Sequence, residues 1–523
     1  MCERFGPRLS RVHPSKRRRW WFAGVLSPVL ALTLGVQSVA ADGASPSIIP
    51  SAAFDFNGDG YADLAAGSAE RWVNGHEHAG AVDVTYGSPD GLGSSNNQFL
   101  TQDSPGIKGR AQDGAFFGQS MTSGDFDGDG YADLATRANN DVVIIYGGPR
   151  GLTSRNSVVK PRKIGPGEFD LNGPGLAAAD FDGDGFSELV VANSGNETEY
   201  GGVGVYRGSP TGISTRKLLI LHRDTPGVPG QRFFDDFFGD AVAVGDVTGD
   251  GYPDLVVASD EEIRGGSIHL FRGSRTGVTV AGTTMLKAEA VLGRPYFSFG
   301  QGNVLAVADF DRDGFGDLVV GDPGLCYREP KEDECGAVLV FSGSASGFHP
   351  QPRQIWDADS PGLPGKSDPG DQFGTRVGVG DLNDDGNPDL AIGAPYDDVG
   401  RIRDAGAVTV VYGTRRGLKA QGAQLWSQAS AKIKGTPQRE DLVGGGPIRI
   451  LDYDKDGHAD LAIHSPADMQ VRRGDLIVGA RGSINVLYGS RTGVTRHDQL
   501  WHSNSLGLVA RTREPGGFGG QCC

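Results

Sequence analysis

Beyond residue 36 the sequence contains no apolar run long enough to cross a membrane, so the bulk of the chain is expected to be soluble. Basic residues are also scarce: 49 Lys and Arg stand against 65 Asp and Glu, a formal net charge of −16. This balance argues against a nucleic-acid partner, because phosphate binding requires a basic surface. G-x-S-x-G, H-E-x-x-H, P-loop and CxxC motifs are absent, and no other catalytic constellation is recognisable.

Glycine is abundant, with 83 residues, but it shows no G-x-y period, which excludes a collagen-like chain. Apolar residues make up 38% of the sequence and only 22% of residues are charged. That composition supplies enough material to bury a core and argues against wholesale disorder. The chain is therefore expected to be folded and rich in turns.

The N-terminus has the organisation of an export signal. A basic segment, 1–19, precedes an apolar run, 20–36, and the small residues Ser38-Val39-Ala40-Ala41 follow. This order predicts a signal peptide at 1–41 and a secreted mature chain at 42–523. An uncleaved membrane anchor is the alternative, and the export route is left open.

Cysteine usage agrees with export. Cys326 and Cys335 bracket a polar, charged segment, and closing such a loop in an oxidising compartment predicts a disulfide. Metal ligation by this pair is the alternative. Cys522 and Cys523 are adjacent near the C-terminus, and their partners cannot be assigned from the sequence.

An acidic nine-residue motif, first written Asp-Phe-Asn-Gly-Asp-Gly-Tyr-Ala-Asp, dominates the internal organisation of the chain. Its copies begin about 55 to 72 residues apart, which indicates structural repeats. There are seven copies, at 55–63, 125–133, 180–188, 246–254, 309–317, 381–389 and 452–460.

A second series runs in step with the first. Each acidic motif is followed some twenty-odd residues later by an alternating apolar strand and a glycine turn, as at 82–92 and 410–418. Segments such as 354–356 and 424–426 supply a further strand. Units of four short strands with almost no helical pattern predict an all-β fold, a seven-bladed β-propeller of four-stranded blades. A linear solenoid is the alternative, although its repeats are usually shorter.

The acidic motifs have the composition of calcium loops. Oxygen ligands at positions 1, 3, 5 and 9 surround one point, Gly at position 6 permits a sharp turn, and the backbone carbonyl of position 7 completes the shell. The spacing differs from that of an EF-hand. Asp and Gly also form ordinary turns, but here they recur at the same positions of the motif in copy after copy. We predict up to seven Ca²⁺ ions, with ligands from Asp55, Asn57, Asp59, Tyr61, Asp63, Asp125, Asp127, Asp129, Tyr131, Asp133, Asp180, Asp182, Asp184, Phe186, Glu188, Asp246, Thr248, Asp250, Tyr252, Asp254, Asp309, Asp311, Asp313, Phe315, Asp317, Asp381, Asn383, Asp385, Asn387, Asp389, Asp452, Asp454, Asp456, His458 and Asp460.

These motifs resemble FG-GAP repeats, the blades of the integrin alpha-subunit propeller and of many secreted bacterial proteins. The resemblance rests on the nonapeptides, on Phe-Gly pairs such as 117–118 and 373–374, and on Gly-Ala-Pro at 393–395, and it covers roughly residues 48–520. It implies a seven-bladed propeller with calcium between the first two strands of each blade and ligand binding on the opposite face. Thr248 departs from the pattern at position 3 and should weaken the fourth site; Glu188 replaces the final Asp of the third.

The expected function is that of a secreted extracellular binding or adhesion module, monomeric, for a protein or carbohydrate ligand. The ligand should lie across loops 68–79, 223–237, 323–335 and 395–405. A secreted polysaccharide or phospholipid hydrolase or lyase with its active site in the propeller cleft is the alternative.

Two further segments leave alternatives open. His76 and His78 are interpreted as part of a solvated loop rather than a transition-metal site. The aromatic segment 232–239 is interpreted as buried packing rather than a sugar-stacking surface.

Overall fold

The fold is seen in a computed structural model, which describes residues 30–32, 54–161, 175–196, 199–231, 236–261, 266–292, 304–326, 335–468, 471–473, 476–479, 482–502 and 505. The described residues form seven four-stranded antiparallel sheets, arranged as the blades of a β-propeller. Helix α1 (Ala288–Leu292) is the single helix among them. The all-β, seven-bladed prediction is confirmed.

Each blade is formed by four strands that run antiparallel to their neighbours. The first four blades comprise β1 (Leu30–Leu32), β2 (Leu64–Ser68), β3 (Ala81–Thr85) and β4 (Gln98–Leu100); β5 (Met121–Gly124), β6 (Asp133–Ala138), β7 (Asp141–Ile145) and β8 (Asn156–Val159); β9 (Leu176–Ala179), β10 (Glu188–Asn196), β11 (Glu199–Arg207) and β12 (Ser214–Leu221); and β13 (Asp236–Gly245), β14 (Asp254–Glu261), β15 (Ser267–Arg272) and β16 (Thr279–Lys287).

The last three blades follow the same plan. They comprise β17 (Val304–Ala308), β18 (Asp317–Asp322), β19 (Ala337–Phe341) and β20 (Gln354–Trp356); β21 (Arg376–Gly380), β22 (Asp389–Ala394), β23 (Ala407–Tyr412) and β24 (Lys419–Trp426); and β25 (Ile448–Leu451), β26 (Asp460–Ser465), β29 (Ser483–Leu487) and β30 (Asp498–Trp501). A separate hairpin, β27 (Val471–Arg473) and β28 (Leu476–Gly479), is inserted between β26 and β29.

The first strand of blade 1 has a different origin from its equivalents. In blades 2 to 7 the first strand directly precedes the acidic loop, whereas in blade 1 that place beside β2 is taken by β1. Strand β1 lies within the segment assigned above to an export signal. The domain boundaries at 1–41 and 42–523 stay a prediction.

The core consists of apolar clusters between consecutive blades. One cluster joins Phe126 and Val142 of blade 2 to Leu189 of blade 3, and equivalent clusters follow around the ring. The largest joins Tyr453 and Val486 of blade 7 to blade 1 and to Leu134 and Val143 of blade 2. The ring is therefore closed by side-chain packing between blades 7 and 1.

A tyrosine and a glutamine link neighbouring blades on the side of the glycine turns. The Tyr412 hydroxyl of blade 6 donates to Gln424 Oε1 at 2.6 Å and accepts from the Val494 N–H of blade 7 at 3.0 Å. Tyr86 and Gln98 bind blade 2 in the same way, and Tyr488 and Gln499 bind blade 1. Gly493 must be glycine, since its φ is +93° and a Cβ would overlap the Tyr412 hydroxyl.

The structure confirms the predicted strands and disulfide, and it agrees with the predicted packing of Phe238. The expected strands at 354–356 and 424–426 are present, and the Cys326–Cys335 disulfide is confirmed. Phe238 is buried against His269 and Phe271, as the packing interpretation of the aromatic segment requires. Residues 232–235 of that segment lie outside the described residues.

Candidate metal centre

The seven acidic motifs form the loops between the first and second strands of the blades, all on one face of the propeller. The position-1 carboxylate holds the turn. In blade 2, Asp125 Oδ1 accepts from the Gly128 and Asp129 N–H groups at 2.6 and 3.2 Å, and Oδ2 accepts from Gly130 N–H at 2.9 Å. The other position-1 residues make the same type of bond, so the loop curls around one carboxylate.

The position-9 carboxylate ties the loop to the end of the third strand. Asp133 accepts from the Phe126 and Gly147 N–H groups, each at 2.8 Å, and is fully buried. Burial raises the pKa of Asp133 to about 8, with the charges of Asp127 and Asp125 adding to the rise. The pKa values of Asp63, Glu188, Asp389 and Asp460 are likewise raised to about 8 by burial.

The position-5 carboxylate faces its own turn. Asp129 Oδ1 accepts from the Tyr131 N–H at 3.1 Å, and all seven position-5 residues repeat this bond to position 7. These carboxylates are exposed and do not belong to the groups of converging oxygens described below. Their role as ligands, and that of the position-7 carbonyls, stays a prediction.

Positions 1, 3 and 9 converge in four of the loops. In each, one oxygen atom from each of three carboxylates lies within 4.8 Å of the other two. The converging sets are Asp125, Asp127 and Asp133; Asp180, Asp182 and Glu188; Asp309, Asp311 and Asp317; and Asp452, Asp454 and Asp460.

The other three loops have no carboxylate at position 3. Asn57 and Asn383 turn their amide oxygens to the N–H groups of Asp59 and Asp385, at 2.9 and 3.0 Å. Thr248, in blade 4, is buried, and its own N–H donates to Asp254 Oδ2 at 3.0 Å. Burial raises the pKa of Asp254 to about 6, less than for Asp133.

Buried oxygens without partners test whether the loops suit a cation. Asp127 Oδ1, Asp182 Oδ1 and Asp311 Oδ1 are buried and accept no hydrogen bond, and the same holds for Glu188 Oε1. Each belongs to one of the converging sets, and buried anionic oxygens are costly unless paired. The ligand set is entirely oxygen, which suits a hard divalent cation. The four loops are therefore compatible with divalent metal binding.

Arginine is the component that the sequence reasoning missed. In blades 2, 3 and 5 an arginine of the same blade forms an ion pair with the position-3 carboxylate: Arg155 with Asp127, Arg207 with Asp182, and Arg353 with Asp311. The arginines follow their carboxylates by 25 to 42 residues, and they do not occupy one common position within the repeat. No spacing rule was available to identify them.

The opposite face carries the connections between second and third strands. In blades 5, 6, 7 and 1 these connections are long, and in blades 2, 3 and 4 they are short. The long ones span 323–336, 395–406, 466–482 and 69–80, and the short ones span 139–140, 197–198 and 262–266.

Two of the long connections, 395–406 and 69–80, contain titratable side chains, and the first of them lies close to the segment 357–375 that links blades 5 and 6. Burial raises the pKa of Asp371 to about 7 and that of Asp397 to about 6, with nearby acids, including Asp368 and Asp398, adding to both. In blade 1, His76 Nδ1 lies 3.1 Å from Asp113 and the His78 ring stacks on Phe116. Neither histidine belongs to a group of three converging ligand side chains among the described residues.

Comparison with known proteins supports the same architecture. The FG-GAP repeat family matches residues 49–85, 117–151 and 373–411, and the FG-GAP-like repeat family matches 180–257 and 246–320. Phosphatidylinositol-glycan-specific phospholipase D of Rattus norvegicus is 36% identical over 179 residues, which are 34% of this chain and 20% of that protein. Integrin alpha-6 of Gallus gallus is 32% identical over 185 residues, 35% of this chain and 15% of that protein. The matched region thus spans a fifth or less of each relative.

Among solved structures, a lectin of Agrocybe aegerita that recognises non-reducing terminal N-acetylglucosamine covers 83% of this chain and 90% of its own, at 14% identity and a TM-score of 0.45. No helix among the described residues has the length and apolar character needed to cross a membrane.

Proposed function

Because this chain is an FG-GAP repeat protein with an integrin-alpha-like seven-bladed propeller, we propose that it is a secreted, calcium-stabilised binding module for a protein or carbohydrate ligand. The proposal assigns the two faces different tasks. The acidic loops hold calcium and stiffen the ring, and the opposite face holds the ligand.

Calcium is the proposed ion because the converging atoms are all carboxylate oxygens and the loops are half exposed, a setting that suits a large cation with six to eight oxygen ligands. In each filled loop the residues at positions 1, 3 and 9 would bind the ion, and the N–H bonds to positions 1 and 9 would keep their carboxylates in place. The ion supplies positive charge that neutralises the buried acids and makes their ionised form stable.

The observation that carries the binding role is the asymmetry of the opposite face. Four consecutive blades, 5, 6, 7 and 1, have long connections between their second and third strands, whereas blades 2 to 4 have short ones. The long connections flank the junction of blades 7 and 1, and the Cys326–Cys335 disulfide constrains the one in blade 5. Connections held on a rigid scaffold are the usual location of binding residues.

The blade 6 connection offers a polar surface for such a ligand. Its carboxylates Asp397 and Asp398 lie near Asp368 and Asp371 of the segment that links blades 5 and 6, close enough for neighbouring acids to add to the raised pKa values of Asp371 and Asp397. A ligand that presents hydroxyl or cationic groups would pair with these acids; an apolar ligand would leave them desolvated.

The secreted form should be screened on glycan and extracellular-matrix protein arrays, beside polysaccharide and phospholipid hydrolysis assays. Binding should be weakened at least tenfold by the double substitution Asp397→Asn and Asp398→Asn. The matched control is Asp90→Asn, an exposed acid on the metal-loop face, which should bind normally.

A second candidate, a secreted phospholipid hydrolase, is favoured by the partial similarity to the rat phospholipase D. Turnover of a phospholipid that is abolished by a substitution outside the acidic loops would replace the binding proposal with this one.

A further inference from the structure

Three of the four loops with converging carboxylates already contain a positive charge from the protein. Arg155, Arg207 and Arg353 each pair with Oδ2 of a position-3 carboxylate. Oδ1 of the same carboxylates is the buried atom that accepts no hydrogen bond. The arginine therefore binds one oxygen of the carboxylate and leaves the other available to an ion.

Two of these guanidinium groups are held by further contacts. Arg155 lies over the Tyr146 ring, with Cζ 4.2 Å from the ring centroid. Arg353 donates from Nη2 to the Arg416 carbonyl of the next blade at 3.1 Å. The Arg155 and Arg353 ion pairs are thus supported by neighbouring structure rather than by two freely rotating side chains.

The fourth converging set, Asp452, Asp454 and Asp460 of blade 7, has no such arginine. Within the described part of the chain none of its carboxylates pairs with a cationic side chain. Lys455 is its neighbour in sequence, but the ammonium group points to blade 1, 5.3 Å from the Tyr61 ring centroid and 3.4 Å from the Asp59 carbonyl.

Blade 4 provides an internal control. Arg272 follows Phe271 at the end of the third strand as Arg207 follows Tyr206, so the two arginines hold equivalent positions. Position 3 of blade 4 is Thr248, and Arg272 instead donates from Nη2 to the Ala345 carbonyl of blade 5 at 2.7 Å. Of these two equivalent arginines, Arg207 pairs with the carboxylate at position 3 of its loop, and Arg272, whose loop has Thr248 there, does not.

We propose that Arg155, Arg207 and Arg353 are internal counter-charges that stabilise the metal-free loops of blades 2, 3 and 5 and weaken their calcium affinity, so that the dependence on calcium is greatest at the loop of blade 7. The inference rests on the proposed calcium binding. An arginine beside three carboxylates is attracted more strongly than the same arginine beside three carboxylates and a divalent cation. It therefore stabilises the empty loop more than the filled one.

Blade 7 is the place where that dependence matters most for the ring. Its acidic loop contacts blade 1 through the Asp452 carbonyl, which accepts from the Ala62 N–H at 3.2 Å, and the Tyr453 carbonyl accepts from the Ser88 N–H at 3.2 Å. Loss of shape in this loop loosens the junction that closes the propeller. Calcium at blade 7 would thereby act on ring closure.

The test replaces all three arginines by Gln and compares this variant with the parent, each as the full chain, using thermal unfolding in EDTA and in millimolar calcium together with calorimetric calcium titration. The variant should unfold at a lower temperature in EDTA and at nearly the same temperature in calcium. The three corresponding sites should bind calcium at least tenfold more tightly, because the repulsion between a guanidinium group and a nearby divalent ion is removed.

Two further variants separate charge from structure. Arg→Lys at the same three positions keeps the charge and should restore the parental calcium affinity and EDTA midpoint. Arg272→Gln should leave calcium affinity unchanged, and any loss of midpoint from its bond to the Ala345 carbonyl should be equal in EDTA and in calcium. A Gln variant that folds only in calcium supports the inference.

Weaker or unchanged calcium binding by the Gln variant would overturn the inference, because the arginines would then be orienting the carboxylates or doing nothing to the sites. An unaltered EDTA midpoint would overturn it as well. If the parent chain binds no calcium, the proposed function itself fails, and that result is distinct from both.

Asp454→Asn tests the second half of the inference. It should remove more of the calcium-induced rise in unfolding temperature than the matched substitution Asp127→Asn in blade 2. An equal or smaller loss for Asp454→Asn would contradict the assignment of greatest calcium dependence to blade 7.

Discussion

At position 4 of the acidic loop, blades 1 to 4 have glycine, whereas blades 5, 6 and 7 have Arg312, Asp384 and Lys455. All seven residues have positive φ, from 66° to 71° for the glycines and from 52° to 56° for the other three. The left-handed conformation costs a non-glycine residue about 1 to 2 kcal/mol. The two groups of blades therefore form the same turn with different residues, and only the second group bears backbone strain.

The neighbouring blade explains the difference. In the first group the position-7 ring of the next blade packs onto the glycine: Tyr131 onto Gly58, Phe186 onto Gly128, Tyr252 onto Gly183 and Phe315 onto Gly249. In the second group the position-4 side chain reaches forward, as Arg312 does to Gly386 and Lys455 to Gly60. The contact between loops is retained, and either blade can supply the side chain.

Removal of calcium should have the largest effect on stability and should affect both groups of blades, because the metal loops are common to both. At about 1 mM calcium and a Kd of about 0.1 mM, each site adds about 1.4 kcal/mol, so seven sites would add about 10 kcal/mol. EDTA should lower the thermal midpoint by many degrees, and hydrogen exchange should quicken in loops of both groups. A midpoint that moves by less than a few degrees would show that the ions are dispensable.

A change of pH should produce the next largest effect. Asp133 and Asp389 have pKa values raised to about 8 in the folded metal-free chain, against about 3.9 when unfolded. Raised values favour folding at low pH, and this contribution is lost as pH rises from about 4 to about 8. Calcium competes with those protons, so its stabilising effect should grow over the same interval. Calorimetry at pH 5 and pH 8 checks this; a larger calcium effect at pH 5 would contradict it.

Gly128→Ala should disrupt the contact between loops in the first group of blades. A Cβ at φ +71° would lie 2.8 Å from Phe186 Cδ1, closer still to Cε1, and the backbone would be strained. We expect a loss of about 2 to 4 kcal/mol in unfolding free energy. The control is Gly130→Ala, whose φ is +88° but whose Cβ would meet no atom within 4 Å. Equal losses in denaturant unfolding would show that the Phe186 contact contributes nothing.

Arg312→Gly, in the second group of blades, should have the smallest effect on the unfolding free energy. Glycine relieves the backbone strain, and we expect a gain of about 0.5 to 1 kcal/mol. Lys455→Gly relieves the same strain but removes the contact with the Tyr61 ring, worth about 0.5 to 1 kcal/mol, so its net effect should be near zero. Denaturant unfolding of both variants gives the comparison. A loss of stability in Arg312→Gly would show that the forward contact outweighs the strain.

The parts of the structure that sequence reasoning predicted are those encoded within one repeat. The loop at Asp125–Asp133 and the glycine turn after β7 depend on residues a few positions apart, and such spacing is visible in a single sequence. The short Cys326–Cys335 loop is of the same local kind. The sequence predicts oxygen ligands from positions 1, 3, 5, 7 and 9 in every loop, and among the described residues the carboxylates of positions 1, 3 and 9 converge in four loops.

Contacts between distant segments could not be predicted in this way. Arg155 reaches Asp127 across 28 residues, and Lys455 meets Tyr61 only because the ring closes. The placement of β1 beside β2 depends on competition among segments for one sheet edge, and periodicity does not resolve such competition. The exposed orientation of Asp129 follows from its bond to the Tyr131 N–H, which local composition does not specify.

The tyrosine–glutamine contact at the junction of blades 7 and 1 suggests that the chain could begin at a different blade. Gln499 Nε2 donates to the Leu92 carbonyl at 3.2 Å, as Gln424 donates to the Val494 carbonyl at 3.2 Å within the continuous part of the ring. Blades 7 and 1, which do not follow each other along the chain, are thus joined by the same hydrogen bonds as blades 6 and 7, which do. A circularly permuted gene, with its break moved to another junction and a linker across this one, should encode the same ring.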